Sequence, residues 1–341
     1  MREENQLKII CRIIENYQLD MPLSRHLRDF YKTHPQMGSR DRRLASAFVY
    51  NYYRFGNALN DLRMTERLAL GNFLCSTESN SILKYCLEKF SLLKEEDILL
   101  SSKEKIGKIK SLHPQFNSAQ LFLFADLLSE EINRDEFTSA FLRQPKLWIR
   151  VRRAFLQTVR EEFTKLNIQF EADENNSLSL CLANATSLEK TDSFSKGYFE
   201  IQDLSSQQTI YFIQPKAGET WLDACAGSGG KGLMMADAVQ DLTIFATDRR
   251  PSVLKNLEER FSKTEIKNFR TEEMDWTRQN SIPDIENSFN GILADVPCTG
   301  SGTWARTPEW LTMFNKEHLE EFISLQRNIV KNLSEFAKPG A

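Results

Sequence analysis

The sequence predicts a multidomain chain of class α plus α/β. A helical region spans residues 1–140, a small α+β module 141–200, and a doubly wound α/β domain 201–341. Three observations carry this reading. Apolar residues recur at three-to-four spacing through the first region, where Gly and Pro are sparse. At Pro145 the pattern changes to short strand-like runs. From about residue 200, apolar runs alternate with helical ones, as in a parallel sheet covered on both faces. A chain of 341 residues has room for two or three such domains.

Each element follows in order. "LKIICRIIENYQL" and "RRLASAFVYNYYRFGNAL" predict amphipathic helices, and "STESNSILKYCLEKF" opens on Ser/Thr capping candidates before another. "LWIRV" predicts a strand, "RAFLQTVREEFTKL" a helix, and "IQFEA" and "LSLCL" two strands around the turn "DENN". "TWLDAC" is then a buried strand, "GSGGKG" a turn, "LMMADAV" a helix, "LTIFATD" a strand and "RPSVLKNLEERFSK" a helix. "FRTEEMD" and "NGILADV" are later strands, and "KEHLEEFISLQRNIVKNLSEFA" is a long helix. Ligands of such sheets bind beyond the carboxyl ends of the strands. The glycine turn, Asp248, Asp275 and "DVPC" all fall at such ends and should converge.

Composition removes several classes. No stretch approaches the ~20 apolar residues that span a bilayer, and "MREENQLKIICRII" lacks the apolar run of a secretory signal. A cytoplasmic protein with no membrane partner is expected. The six cysteines (Cys11, Cys75, Cys86, Cys181, Cys225 and Cys298) form no CxxC pair, which argues against a zinc site and a disulfide framework, so no metal is expected. Cys225 and Cys298 stand apart because they lie in glycine-rich turns.

The net charge of −3 advertises no global basic field. Between Arg143 and Arg160, however, Arg143, Lys146, Arg150, Arg152, Arg153 and Arg160 stand with no acid among them, and Trp148 and Phe155 are interleaved. Such a stripe can neutralise phosphates. The alternative is a solvated face with two core aromatics.

"GSGGKG", Gly227 to Gly232, matches G-x-G-x-x-G, with the acid Asp248 at the end of the next strand. Nicotinamide and S-adenosylmethionine sites share both features. A P-loop is disfavoured because no Ser/Thr follows Lys231 and Cys225 stands where its first glycine belongs. "DVPC" favours a methyltransferase. Carbon 5 of cytosine attacks a methyl sulfonium only after a thiolate adds to carbon 6, and cysteine suits that cycle of addition and elimination.

"LDACAGSGGKG", "ATDRRPSVLKNLEERF", "ADVPCTGSGTWARTPEW" and "LQRNIVKNLSEFAKPGA" occur in the order of the motifs of the Sun/NSUN family of RNA 5-methylcytosine methyltransferases, which residues 200–341 resemble. The likeness extends back through "EIQDLSSQ" and "PKLWIRV" to "SRDRRLASAFVYNYYR", which is similar to the NusB-like helical domain of the bacterial ribosomal RNA members. The resemblance implies a NusB-like RNA-binding domain, an RRM-like module and a Rossmann-like S-adenosylmethionine (SAM) domain.

It implies further that Cys225, Ala226, Gly227, Ser228, Gly229, Gly230 and Lys231 form the SAM loop. Asp248 would take the ribose hydroxyls and Asp275 would lie beside the adenine, although Glu272 and Glu273 stand close to it. Asp295, Pro297 and Cys298 would line the target cytosine, with Asp295 also near the cofactor and accepting from the base's N4. Arg306, Arg150, Arg152, Arg153, Arg40, Arg42 and Arg43 would hold RNA, most simply ribosomal RNA bound by a monomer. Lys231 is expected near the substrate, lowering a thiol pKa.

The chain departs from the family pattern at three places. Ser228 stands where the family usually has proline, and Gly232 where it has Thr or Ser. Family members also carry a second, nucleophilic cysteine in a Thr-Cys-Ser turn, Cys298's counterpart being assigned to product release. No cysteine follows Cys298 here. The sheet as given would be incomplete, so a C-terminally truncated fragment, inactive through a whole methylation cycle, is the expectation. A non-catalytic RNA-binding or ribosome-assembly protein, or a different SAM-dependent methyltransferase, stays open as an alternative. A nicotinamide oxidoreductase is the remotest.

Overall fold

The computed structural model describes residues 2–90, 93–264, 266–278 and 288–341. They fall into two compact units, Met1–Pro145 with Gly300–Asn315, and Lys146–Thr299 with Lys316–Ala341.

The first unit is helical: α1 (Arg2–Glu15), α2 (Leu23–Thr33), α3 (Ser39–Arg54), α4 (Met64–Cys75), α5 (Ser81–Phe90), α6 (Ser102–Leu112) and α7 (Arg134–Phe141). In α1 the buried positions Leu7, Ile10, Ile13 and Ile14 repeat at helical spacing. Helix α6 starts where Ser101 and Glu104 exchange hydrogen bonds in a capping box. Close contact of α3 and α4 requires Gly71, since a Cβ there would lie 2.9 Å from the Asn51 carbonyl oxygen. Beside it the buried Asn72 amide is satisfied by Asn51, Phe48 and Leu68.

The second unit opens with an antiparallel sheet, built from β1 (Leu147–Val151), β2 (Phe170–Ala172), β3 (Ser179–Leu182) and β4 (Phe199–Ile201) in the order β2-β3-β1-β4. Helix α8 (Leu156–Lys165) drives Val159 and Phe163 onto Ile149, Val151, Leu180 and Phe199. The sequence predicted the β-α-β-β order but not β4. Three residues of "YFEIQ" pair with β1, too few to show a period.

Short helices α9 (Asp192–Ser195), α10 (Leu204–Gln208) and α11 (Ile210–Ile213) lead into the parallel sheet. That sheet comprises β5 (Thr220–Asp223), β6 (Thr243–Asp248), β7 (Phe269–Glu273) and β8 (Gly291–Leu293). Its order is β7-β6-β5-β8, with α12 (Gly230–Ala238) and α13 (Pro251–Lys263) between strands. All four strands predicted from residue 220 onward are present.

Segment Gly300–Asn315, with α14 (Glu309–Met313), belongs to the helical unit, and α15 (Lys316–Leu333) returns to the parallel sheet. The sequence pattern predicts that whole stretch to lie in the α/β domain. Its anchors are tertiary: Trp304 and Leu311 pack with Phe122 and Phe141, Arg54 Nη2 donates to the Ala305 carbonyl at 2.8 Å, and Glu309 Oε1 accepts from the Leu23 N–H.

Candidate active site

The strand ends of the parallel sheet open onto a pocket of about 250 Å³, with Ala224, Cys225, Asp248, Asp275, Asp295 and Pro297 in its wall. The crossover between β5 and β8 makes this possible. Chain direction reverses its progress across the sheet there, and the loops on either side of the switch point diverge and leave a crevice.

The glycine turn joins β5 to α12. Gly227 and Gly229 have φ of +54° and +80°, conformations that favour glycine. The two serve different ends. A Cβ on Gly227 or Gly230 would meet nothing within 4 Å, so the backbone there is open to a ligand. A Cβ on Gly229 would strike Leu257 at 2.7 Å and Phe261 at 2.9 Å, so that glycine lets the turn sit on α13. Ser228, in the usual proline position, is clamped: Arg260 Nη1 donates to its carbonyl at 2.5 Å and to its hydroxyl at 2.8 Å.

Asp248 ends β6. It accepts from the Gly227 N–H at 3.0 Å and from the Arg250 backbone N–H at 3.0 Å, and Arg250 Nε and Nη2 reach its two oxygens at 2.9 and 3.0 Å. Burial works against its ionised form, but the Arg250 and Gly227 hydrogen bonds outweigh it and hold the carboxyl below the ordinary aspartate range. Asp275 accepts from the backbone and hydroxyl of Thr277, which keeps its carboxyl low as well. Asp275 lines the pocket, whereas Glu272 pairs with Arg270.

Asp295 follows β8 and is bound by Lys231 Nζ at 2.5 Å. That ion pair directs Lys231 to a carboxylate, where the sequence analysis aimed it at a thiol. Cys298 is the exposed cysteine of the six. Cys225 is half-buried, and burial followed by the charges of Asp248, Asp223 and Asp295 pushes its thiol up to about 11. Cys225 is therefore a neutral thiol at physiological pH and Cys298 the accessible one.

Several residues were missed. Asp223, at the end of β5, is fully buried, and one of its oxygens has no hydrogen-bond partner among the described residues. Burial, then the charge of Asp295, raises its carboxyl to about 7. Trp276 lines the pocket and donates to the Thr247 hydroxyl at 2.8 Å. Leu325 and Ile329 of α15 complete the wall, and the same helix ties down the loops: Gln326 donates to the Pro297 carbonyl, Asn328 to Thr277 and Asn332 to Trp276. "EMDW" and the amide-rich face of α15 are the only traces of this in the sequence.

The arginines assigned to RNA are placed differently. Arg150 and Arg152 converge on Asp237, at 2.6 and 2.7 Å, with side chains 7% and 14% exposed. The expectation that these two hold phosphates is corrected: a shared carboxylate and burial occupy them. Arg153 is exposed. In the helical unit, Arg40 and Arg43 are exposed on α3, Arg42 donates to the Met37 and Pro35 carbonyls, and Arg306 lies on the Gly300–Asn315 segment.

The donor set fits a cationic cofactor. Three carboxylates, Asp248, Asp275 and Asp295, line the pocket against Arg249 and Arg250, Lys231 is paired with Asp295, and Met274, Trp276, Leu325 and Ile329 give it an apolar wall. Sheet order, glycine turn and strand-end acids define the Rossmann-like fold of SAM-dependent methyltransferases. Residues 210–341 match the family described as "16S rRNA methyltransferase RsmB/F". Over these residues the chain is similar to that family.

The chain is 26% identical over 254 residues to ribosomal RNA small subunit methyltransferase B of Pasteurella multocida, covering 72% of this chain and 54% of that protein. It is 28% identical over 202 residues to the protein of the same name from Pectobacterium atrosepticum, covering 58% and 46%. The chain thus spans about half the length of these relatives. Among solved structures, PH0851 superposes with a TM-score of 0.68 at 19% identity, covering 98% of this chain and 82% of that one. NSun6 from Pyrococcus horikoshii with SFG gives 0.53 at 18%, covering 61% and 78%.

Proposed function

We propose that this chain carries the SAM and cytosine sites of an RNA methyltransferase that modifies carbon 5 of a cytosine, with ribosomal RNA as substrate. The observation that carries the reading is the meeting of Cys225, Asp248, Asp275, Asp295 and Pro297 around one pocket, with the glycine turn tied to Asp248 through the Gly227 N–H and the exposed Cys298 next to Pro297. The names of the Pasteurella and Pectobacterium relatives support the ribosomal substrate, and SFG, a SAM analogue, in NSun6 supports the cofactor.

SAM supplies an electrophilic methyl group when bound. The acids would do the holding: Asp248 at the ribose hydroxyls and Asp275 near the adenine, with Met274 and Trp276 as apolar wall. Asp295 would accept from the exocyclic amine of a cytosine turned out of its stack, with Lys231 holding the carboxylate in place. Gln326 fixes the Pro297 carbonyl and so the turn that presents Cys298. Cys298 would serve the release step, taking the C5 proton of the methylated adduct while the C–H electron pair restores the C5–C6 double bond and expels the nucleophilic thiolate, a different cysteine's, from carbon 6.

The test is calorimetric titration with SAM and with NADH, repeated on Asp248→Ala. Micromolar SAM binding that the substitution weakens at least tenfold, with no NADH binding, is the expected outcome. NADH binding, or SAM binding indifferent to Asp248, would overturn the cofactor reading. Mass spectrometry of RNA nucleosides after reaction separates C5 from N4 methylation.

A further inference from the structure

A second cavity, of about 330 Å³, lies in the same compact unit and shares no lining residue with the candidate active site. Val151, Leu178, Ile210, Tyr211 and Met234 give it apolar walls. Arg150 also lines it and is 5% exposed. The guanidinium is held on two sides: Nε donates to Gln202 Oε1 at 3.0 Å and Nη1 to Asp237 Oδ2 at 2.6 Å. Its Nη2 is buried and has no acceptor among the described residues. An unmet buried donor costs free energy that a ligand acceptor recovers.

The charge balance points the same way. One carboxylate, Asp237, is shared by Arg150 and Arg152, and Arg153, exposed, adds a further positive charge to the wall. Helix α11 presents Tyr211 half-exposed and Phe212 87% exposed, an aromatic face open to solvent beside the cavity. A flat ring with an acceptor at its edge and a phosphate on its sugar matches apolar walls, a fixed donor and a cationic rim.

We propose that this cavity receives one unpaired nucleotide of a single-stranded RNA segment. Its base lies between the apolar walls, a carbonyl or ring nitrogen accepts from Arg150 Nη2, and its phosphate reaches Arg153. The assignment rests on the RNA reading above. It also gives the Arg143–Arg160 stripe a role: Asp237 aims Arg150 at a base edge, and one arginine of the three is left for phosphate.

The experiment measures binding of a fluorescein-labelled single-stranded RNA of about ten nucleotides to the full chain, to Tyr211→Ala and to Ala238→Phe, the last filling the cavity. SAM titration and thermal melting check that each variant is folded. Both variants should bind RNA about tenfold more weakly, the scale of one lost stacking contact, with SAM affinity unchanged. Photo-crosslinks from 4-thiouridine RNA should fall within residues 207–214. Equal RNA affinity for all three proteins, or crosslinks confined to other segments, overturns the proposal while leaving the methyltransferase reading intact. Nucleoside monophosphates that bind in the cavity without any effect of the variants on RNA overturn it in favour of a free-nucleotide site. Failure of the unaltered chain to bind RNA overturns the reading on which it rests, and this occupant with it.

Discussion

Both oxygens of Asp248 are engaged by Arg250, so a diol that reaches this carboxylate must displace a guanidinium whose side chain is 58% exposed. An exposed ion pair contributes only about 0.2–1 kcal/mol. Arg250→Ala should therefore tighten SAM binding about two- to fivefold by calorimetry, opposite in sign to Asp248→Ala. Weaker binding would mean that Arg250 itself touches the ligand. Asp223 gives a pH signature. Its carboxyl is raised from 3.8 to about 7 by burial and then by Asp295. The folded protein holds a proton that the unfolded chain has lost between these values, so stability falls as pH rises through that window and levels off above it. Asp223→Asn removes the cost, and its melting temperature should pull ahead of wild type from pH 4 to 7 and keep a constant lead above. A lead that does not vary with pH would refute the assignment. Gly232 belongs to the same story. A Cβ there would lie 2.9 Å from Asp223 Oδ2, so glycine leaves room for the buried carboxyl.

The turn into α12 makes a sharper demand at the level of elements. Gly229→Ala forces a positive φ on alanine and drives its methyl into Leu257 and Phe261. Strain and overpacking together should cost about 2–4 kcal/mol, read as a lower urea midpoint, and should loosen SAM as the turn lifts from α13. An unchanged midpoint would show that α13 yields freely. Strands β5, β6 and β8 were legible in sequence as apolar runs next to turns, and the polar β7, "FRTEE", through its place after a helix. So was their convergence, because chain direction alone puts the acids at one end. Strand β4 was not, since three residues carry no period. Nor were the fates of Arg150 and Arg152, whose partner Asp237 lies 87 and 85 residues further on. A basic stripe reads the same whether its charges meet solvent or a carboxylate brought in by the fold. The wall supplied by Leu325 and Ile329 was hidden for a similar reason: apolar residues of a long helix do not announce which of them border a cavity.

For the molecule as a whole, Gly300–Asn315 sets the rule. The buried Glu309, whose carboxyl is raised chiefly by burial, fastens this segment to the start of α2, and Trp304 and Leu311 fill the space against Phe122 and Phe141. A polypeptide ending at Pro145 would lose those fillings and leave Leu23 N–H and Arg54 Nη2 without their acceptors. It should melt lower than a mixture with a synthetic 300–315 peptide, and the peptide should raise its melting temperature in a dose-dependent way. Identical melting with and without peptide would show that the segment is dispensable. The wider consequence concerns descent. Because the chain crosses between the two units after residues 145, 299 and 315, no single break in the gene yields both intact. A recombination event that exchanged the helical unit at one junction would import a partner lacking its own strap. The two units should therefore be inherited together, and substitutions at Phe122 and at Trp304 should be accepted or rejected as a pair.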